Sequence, residues 1–243
     1  MYNEISTVAS TAAELVREMD AYCERSGDTY EIIFSDDGSR DGTLEAVPST
    51  CAVGAVHGEV VPLGSEVNRG KGAAVRRAVA VSTGDVVMYT DCDLAYGTEA
   101  ITQGIDVMKK DSPDLLAGSR AIHPTGYAGY TFLRRIASKA YIRILTLITG
   151  LKVTDSQCGF KLFSGELARK IFAICETDGW AFDLELFLLA KREGAVMSEM
   201  PVTIVNHRES RISVMSDSFK MLREIFKIKA RVAALDKNVA GKK

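Results

Sequence analysis

The sequence is poor in the residues and runs that build disulfide frameworks, zinc sites and membrane spans. None of its five cysteines forms a C-x-x-C pair and its three histidines lie far apart, which argues against both a zinc site and a disulfide framework. No apolar run approaches the roughly 18 residues that a membrane-spanning helix needs, and no signal peptide is recognisable. These absences predict a cytoplasmic protein that is soluble or peripheral to a membrane.

Length and charge exclude further classes. The chain has 243 residues, of which 47% are hydrophobic, and this is enough for one large domain or two small ones with a sizeable core. The net charge of -2 at pH 7 argues against a dedicated nucleic-acid binder. Neither property indicates an oligomeric state.

Helical and strand-like segments alternate along the chain. Apolar spacing predicts helices at 6–25, 72–82, 98–110, 164–174 and 216–234. Short runs of β-favouring residues predict strands at 30–34, 59–63, 86–94, 114–118 and 199–205. This alternation is typical of an α/β fold with a mostly parallel sheet and flanking helices, in which ligands collect at the carboxyl ends of the strands.

Two acids close the strand that begins near Val86. If the strand continues through Asp91 and Asp93, their side chains point the same way, because strand side chains repeat every two residues. Two neighbouring carboxylates repel each other unless a cation lies between them, and Mg²⁺ or Mn²⁺ suits oxygen ligands of this kind. The pattern predicts a divalent metal site, with an ordinary acidic turn as the alternative.

Two further turns have the composition of ligand-binding loops. The acidic, glycine-containing stretch 35–43 follows a predicted strand. Some α/β folds bind a nucleotide at such a turn. An ordinary strand-to-helix turn has the same composition and is the alternative. Gly70-Lys71-Gly72 resembles a phosphate-binding loop at a helix N-terminus. It is not a P-loop, because Gly72 stands where that motif needs Ser or Thr.

The segment 120–152 is basic and free of acids. It contains six Lys or Arg residues, no Asp or Glu, and several interleaved aromatic residues, and its apolar residues recur at helical spacing from Leu133. A basic amphipathic helix of this kind indicates a membrane-surface element or a gate for an anionic ligand. The alternative is a helix that packs on the core and keeps its basic face in solvent.

These motifs follow one another in an order that resembles the family 2 inverting glycosyltransferases with a GT-A fold. Within that family the sequence is similar to the branch of dolichyl- or polyprenyl-phosphate glucosyltransferases and mannosyltransferases. The resemblance extends to about residue 225 and rests on an ordered set of motifs: Tyr2-Asn3-Glu4, Asp36-Asp37-Gly38, Gly70-Lys71-Gly72, Asp91-x-Asp93, Gly118-Ser119-Arg120, Asp155-Ser156-Gln157-Cys158-Gly159-Phe160-Lys161, Phe182-Asp183-x-Glu185 and His207-Arg208-Glu209-x-Arg211.

The resemblance implies a domain layout. It implies a GT-A catalytic domain at 1–212, in which 120–152 faces the acceptor or the membrane, followed by a C-terminal amphipathic basic helix and tail at 213–243. The fold would be a Rossmann-like, mostly parallel sheet with flanking helices. Relatives begin with a hydrophobic strand just before the Tyr-Asn-Glu motif, and this first strand is apparently missing here.

The resemblance also implies roles for individual residues. Asp93, Arg120 and Asp183 are the candidate catalytic residues, and Asp91 and Asp93 the candidate ligands of Mg²⁺ or Mn²⁺. The candidates for binding the nucleotide sugar are Tyr2, Glu4, Asp36, Asp37, Lys71, Asp91, Cys92, Lys161, Arg208 and Arg211. The candidates for binding the acceptor are Arg120, Arg135, Ser138, Asp155 and Glu185.

The implied reaction is metal-dependent, inverting transfer of a hexose from a UDP-sugar, or alternatively a GDP-sugar, to a polyprenyl or dolichyl phosphate. Glucose is favoured because Ala95 stands where the mannosyltransferase branch often carries Gln. A lipid phosphate is already anionic near neutral pH, so it needs arginines to position it and no strong general base. Two alternatives remain: a hydroxyl acceptor, for which Asp183 is the candidate base, and an inactive nucleotide-sugar binder. The enzyme would act peripherally at the inner face of the membrane.

Overall fold

A two-stranded and a four-stranded sheet carry the fold in a computed structural model that describes residues 1–127, 130–206 and 223–235. The first sheet pairs β1 (Tyr30–Ser35) with β2 (Gly58–Leu63) in parallel. The second has the order β3-β5-β4-β6 and consists of β3 (Val86–Thr90), β4 (Leu115–Ser119), β5 (Phe160–Ser164) and β6 (Met197–Pro201).

Helices connect most of these strands. They are α1 (Val8–Ser26), α2 (Thr50–Val53), α3 (Lys71–Val81), α4 (Thr98–Asp111), α5 (Phe132–Thr149), α6 (Gly165–Phe172) and α7 (Phe182–Arg192). Residues 223–235 are also helical. In the part of the chain that the structure describes, no helix combines the length and the apolar character that crossing a bilayer requires.

The predicted α/β fold is confirmed, with one strand in an unexpected direction. β5 runs antiparallel to both β3 and β4, whereas β6 runs parallel to β4. β3, β4 and β6 therefore share one direction and end at the same edge of the sheet, and β5 begins at that edge. The last strand ends at Pro201, before the predicted residue 205, because β4 offers ladder partners only as far as Ser119.

Among the described residues, β1 is the first strand, and it follows α1. Met1 lies beside the end of β1, where its amino group donates to the Ser35 carbonyl (2.7 Å) and its own carbonyl accepts from the Asp37 amide (2.9 Å). The N-terminal residues thus contact the acidic turn that follows β1.

Both faces of the four-stranded sheet are buried, as a strand periodicity of two allows. One face packs against α6, α7 and the helical segment 223–235, with Phe163 at its centre. The other face packs against α4 through Leu116 and Leu162. Because Ile225 and Ile228 are buried in the first of these clusters, the helical segment 223–235 belongs to the same core. The predicted boundary between 212 and 213 lies outside the described residues.

Phe163→Ala should lower the free energy of unfolding by about 3–5 kcal/mol, because the side chain is fully buried and its removal leaves a cavity. Phe226→Ala is the matched control, since Phe226 is 59% exposed, and it should change stability by less than about 0.5 kcal/mol. Urea unfolding followed by circular dichroism measures both. Equal losses in the two variants would contradict this assignment of the core.

Candidate functional site

Polar side chains converge where β3 and β4 end and β5 begins. Asp91 follows β3, Arg120 follows β4, and Gly159 immediately precedes β5. Since β5 is hydrogen-bonded to both of the other strands, these three positions lie at one edge of the sheet. This edge corresponds to the carboxyl ends of the parallel strands, where α/β proteins place their ligands.

Asp91 forms an ion pair with Lys71, the first residue of α3. The Lys71 ammonium donates to Asp91 Oδ1, and it lies 5.3 Å from the centre of the Trp180 ring. Burial alone would lower the pKa of Lys71, but the carboxylates of Asp91 and Asp183 outweigh burial and raise it. Lys71 is therefore a charged group at this edge of the sheet, beside Asp91 and Trp180. The surface at this edge is called the cleft below.

Gly159 allows the pair to form. A Cβ at this position would lie 2.5 Å from Asp91 Oδ2 and 3.1 Å from Lys71 Nζ. Both atoms would have to move to accommodate any other residue. The glycine thus leaves space for the carboxylate and the ammonium to meet against the backbone.

The two acids of the Asp91-x-Asp93 motif do not share a strand, so the expected alternation of side chains is wrong. β3 ends at Thr90, and a turn follows in which the Leu94 amide donates to the Asp91 carbonyl (3.1 Å) with Leu94 at a φ of 47°. Asp93 accepts from the Ala95 amide (3.1 Å) and lines a groove beside Thr11 of α1. In the described ranges, no group of three or more His, Cys, Asp or Glu side chains is placed to hold a metal ion.

The resemblance of Gly70-Lys71-Gly72 to a phosphate-binding loop does not extend to its backbone. The Gly70 amide donates to Asp37 Oδ2 (2.6 Å), and the Gly72 amide donates to the Asp178 carbonyl (2.7 Å). A Cβ on Gly70 would lie 2.5 Å from the same carbonyl, so the glycine permits close packing of this loop. The amides of Gly70 and Gly72 are thus engaged within the protein, and the Lys71 side chain reaches Asp91 at the edge of the sheet.

Asp36 and Asp37, the candidates for base and ribose binding, are buried and hold the adjoining loops. Asp36 Oδ2 accepts from the amides of Gly38 (3.1 Å) and Ser39 (2.8 Å). Asp37 accepts from the Gly70 amide and from the Arg69 amide (3.2 Å). These contacts connect the turn after β1 to the start of α3, beside the Lys71–Asp91 pair.

Lys161 and Asp183 form a buried ion pair beneath the cleft. Lys161 is fully buried and donates to Asp183 Oδ1 (2.5 Å) and to the Cys158 carbonyl (2.7 Å). The Tyr89 hydroxyl donates to the same carboxylate oxygen, and burial followed by the Asp183 charge raises the pKa of Tyr89 well above its ordinary value.

These contacts correct two assignments. Lys161 is a predicted contact of the nucleotide sugar, but its side chain is fully buried and pairs with Asp183. Asp183 was expected to serve as a base for a hydroxyl acceptor, but it is buried and one of its oxygens already accepts two hydrogen bonds. The pair instead supports the turn that presents Gly159.

Arg120 and Asp155 form a second ion pair at the same edge. Arg120 Nε donates to Asp155 Oδ2 (2.6 Å) and a terminal nitrogen donates to Oδ1 (2.9 Å), so the contact is bidentate. Burial alone would raise the pKa of Asp155, but the Arg120 guanidinium outweighs burial and lowers it. Another Arg120 nitrogen donates to the Tyr130 hydroxyl (2.9 Å), which joins the pair to the segment before α5.

The other acceptor candidates are Arg135 and Ser138, which lie on α5, and Glu185, which lies on α7. Arg135 is exposed and donates to the Tyr127 carbonyl (2.9 Å), and Ser138 lies one helical turn further on. Glu185 is buried on α7, where it accepts from the Thr177 amide (2.8 Å) and from Arg231 (2.6 Å). Burial would raise the pKa of Glu185, but these partners lower it. Its contacts are those of a structural residue and give no support to a role in acceptor binding.

The remaining donor candidates lie near the start of α1 or outside the described residues. Tyr2 is exposed, and the Glu4 carbonyl accepts from the first amides of α1. The Cys92 carbonyl accepts from the Thr11 hydroxyl (2.7 Å), and burial raises the pKa of the Cys92 thiol to about 11. Arg208 and Arg211 lie outside the described residues.

The structure adds residues that the sequence analysis missed. Trp180 and Asp178 both contact the start of α3, and Asp178 also pairs with Arg69 (3.1 Å) and Arg76. Tyr89 contributes its hydroxyl to the buried pair below. The one available signal is that Trp180 is the single tryptophan of the chain and stands two residues before Phe182 of the Phe182-Asp183 motif.

The sequence matches a family model and several named proteins. A sequence model described as "Glycosyl transferase family 2" matches residues 1–172. The chain is 34% identical to a dolichyl-phosphate beta-glucosyltransferase of Dictyostelium discoideum over 84% of this chain and 63% of that protein. It is 30% identical to one of Trichomonas vaginalis over 93% of this chain and 68% of that protein. The chain thus spans just under two thirds of the Dictyostelium relative.

A solved structure supports the fold. Glucosyl-3-phosphoglycerate synthase from Mycobacterium tuberculosis, in complex with Mn²⁺, UDP-glucose and phosphoglyceric acid, superposes with a TM-score of 0.62 at 18% identity, covering 96% of this chain and 77% of that chain. At this identity the likeness concerns the fold alone.

Gly159→Ala should lower the free energy of unfolding by about 1 kcal/mol, because the added methyl group displaces the ends of the Asp91 and Lys71 side chains from each other. Gly179→Ala is the matched control: no described atom lies within 4 Å of the position that its Cβ would take, and its effect should stay within about 0.5 kcal/mol. Thermal unfolding compares the two. The contact at Gly159 is disproved if both variants melt like the wild type.

Proposed function

We propose that this chain, which belongs to glycosyl transferase family 2, transfers glucose, with inversion, from UDP-glucose to a dolichyl or polyprenyl phosphate. The observation that carries the proposal is the pairing of Asp91 with Lys71 at the edge of the sheet that also holds Arg120. The named glucosyltransferases among the relatives supply the sugar and the acceptor. A GDP-sugar is the alternative donor.

The acids and Lys71 form the donor side of the proposed site. Asp36 and Asp37, with Tyr2 and Glu4, would lie near the base and ribose, and Lys71 near the diphosphate. Arg208 and Arg211 remain proposed contacts of the diphosphate. The departing nucleotide carries negative charge, so preorganised cations near it stabilise the transition state.

Asp91 and Asp93 would hold a divalent cation that arrives with the donor, with the diphosphate completing the set of oxygen ligands. Two carboxylates completed by substrate phosphates are a usual set for Mg²⁺ or Mn²⁺, whereas the described residues offer no larger cluster that would hold a metal by itself. The solved structure with Mn²⁺ and UDP-glucose agrees with a cation of this kind. When bound, the ion would supply Lewis-acid stabilisation of the leaving diphosphate.

The basic side of the cleft suits an anionic acceptor. Arg120 is held by Asp155 and Tyr130 and retains N–H groups for a phosphate, and exposed Arg135 lies on the adjacent helix. A lipid phosphate needs no strong base, because it is already anionic near neutral pH. The engagement of Asp183 with Lys161 and Tyr89 therefore favours a phosphate acceptor over a hydroxyl acceptor.

One face of α5 suits the membrane surface from which such an acceptor would come. Phe132 and Leu147 are 79% and 85% exposed, and Ile136 and Arg143 are exposed at positions that share their face. Exposed apolar residues beside basic ones are typical of helices that lie in the membrane interface. We propose peripheral attachment at the inner, cytoplasmic face, with the basic 223–235 segment and the tail adding electrostatic attraction of about 1 kcal/mol per basic residue.

The wild-type protein should transfer radiolabelled glucose from UDP-glucose to polyprenyl phosphate in vesicles, in the presence of Mg²⁺ or Mn²⁺, and EDTA should abolish the transfer. Asp91→Asn should lower the rate by about 100-fold or more, because a charge that holds the cation and Lys71 is lost. Asp111→Asn, an exposed acid at the end of α4, is the matched control and should keep its activity. Extraction of the labelled lipid measures the product.

Other outcomes of the same assay decide between the alternatives. Transfer only to soluble hydroxyl acceptors would overturn the lipid-phosphate assignment. Binding of UDP-glucose without release of its sugar to any acceptor would indicate the inactive nucleotide-sugar binder.

Leu147→Glu should weaken binding to anionic vesicles by about tenfold or more, because burying a leucine side chain contributes about 1.5–3 kcal/mol. Val56→Glu introduces the same charge at a 76% exposed valine on the turn before β2 and should leave binding nearly unchanged. Co-sedimentation with vesicles measures both. Equal losses would mean that charge, rather than the α5 face, governs attachment.

A further inference from the structure

We propose that Lys71 is an exchangeable counter-ion. In the absence of a donor its ammonium neutralises Asp91. When the donor and its cation bind, the cation takes the carboxylate and the ammonium moves onto diphosphate oxygens. This inference rests on the proposed donor site and adds to it a defined movement of one residue.

The hydrogen bonds of Lys71 leave room for the exchange. An ammonium group has three N–H donors. Among the described residues, the hydrogen bond that the structure gives the Lys71 ammonium is the one to Asp91. The Asp91 side chain is 38% exposed, against 16% for Lys71. An incoming cation can therefore reach the carboxylate from the cleft, while the ammonium lies beneath it with donors to spare.

The surroundings restrict where the ammonium can go. Gly159 closes one side, because its backbone lies directly against both partners. The Trp180 ring, which is 69% exposed, lies on another side. A flexible four-carbon stem can swing the charge along the aromatic face towards the open cleft without disturbing the helix that carries it.

The backbone at the start of α3 does not offer a substitute. The amides of Gly70, Gly72 and Ala73 donate to Asp37 and to the Asp178 carbonyl, so they are not directed at a ligand. The Lys71 side chain is the charged group that this motif offers to a diphosphate. The Lys71 ammonium would thus pair first with Asp91 and then with the diphosphate, and it would leave the first partner as it gains the second.

Exchange predicts opposite effects on two binding equilibria. Without a donor, Lys71 competes with a divalent cation for Asp91, so removing its charge should strengthen binding of the cation alone. With a nucleotide diphosphate present, the ammonium contributes charge-assisted hydrogen bonds, so removing it should weaken binding of the cation–nucleotide complex. A residue that merely supports the fold would shift both affinities in the same direction.

The experiment uses the full-length chain and its Lys71→Met and Lys71→Gln variants. Binding of Mn²⁺ alone is followed by the loss of the free-ion signal in electron paramagnetic resonance, and binding of UDP in the presence of saturating Mn²⁺ by calorimetry. Mn²⁺ alone should bind up to about fivefold more tightly to the variants, the range of a partly exposed ion pair. UDP should bind about tenfold more weakly or worse.

Arg69→Met is the control for net charge. Arg69 is two residues away and 61% exposed, and its side chain pairs with Asp178 rather than Asp91. It should show neither the gain for Mn²⁺ nor the full loss for UDP. Met and Gln differ in polarity, so agreement between them, with unchanged circular dichroism, excludes a folding defect as the cause.

The outcomes separate this inference from the proposed function. If the wild type binds Mn²⁺ with UDP and transfers glucose, but both affinities fall or both rise in the variants, the exchange is wrong and the function stands. If the wild type binds no UDP with Mn²⁺, the proposed donor site and the exchange are both overturned. Opposite changes in the two affinities support the exchange.

Discussion

The direction of β5 is the constraint on which the cleft depends. Because β5 runs antiparallel between β3 and β4, its first residues meet the last residues of both neighbours at one edge. Gly159 is thereby brought against Asp91, and Asp155 against Arg120. Two residues after Gly159, the buried Lys161 pairs with Asp183 of α7. A single strand thus positions the surface of the cleft and its support.

Three ion pairs give this region its electrostatic character. Lys71–Asp91 and Arg120–Asp155 lie at the edge, and Lys161–Asp183 lies below. In each pair the cation has an acid of the same chain as its partner, so none of these charges is buried without a counter-charge. An anionic ligand would have to compete with these carboxylates, and under the proposed function this competition would favour a ligand that brings its own cation.

Much of the layout could be predicted from the sequence, because periodicity and turn residues report local structure. The helices at 98–110 and 72–82 differ by one residue at an end or at both from α4 and α3. Directions and depths could not be predicted, since they depend on tertiary contacts: the antiparallel β5, the turn that separates Asp91 from Asp93, and the burial of Lys161. The roles expected for Lys161 and Asp183 failed for that reason, because residue type reveals chemistry but not accessibility.

The position of Trp180 has a practical consequence. It is the only indole in the chain, it is largely exposed, and a lysine ammonium lies over its ring. The fluorescence of an indole responds to solvent and to nearby charge. Since the chain has one tryptophan, its tryptophan fluorescence reports on this position alone. Changes around Lys71 and the start of α3 can thus be followed in real time without a label, and the signal can be attributed to one side chain.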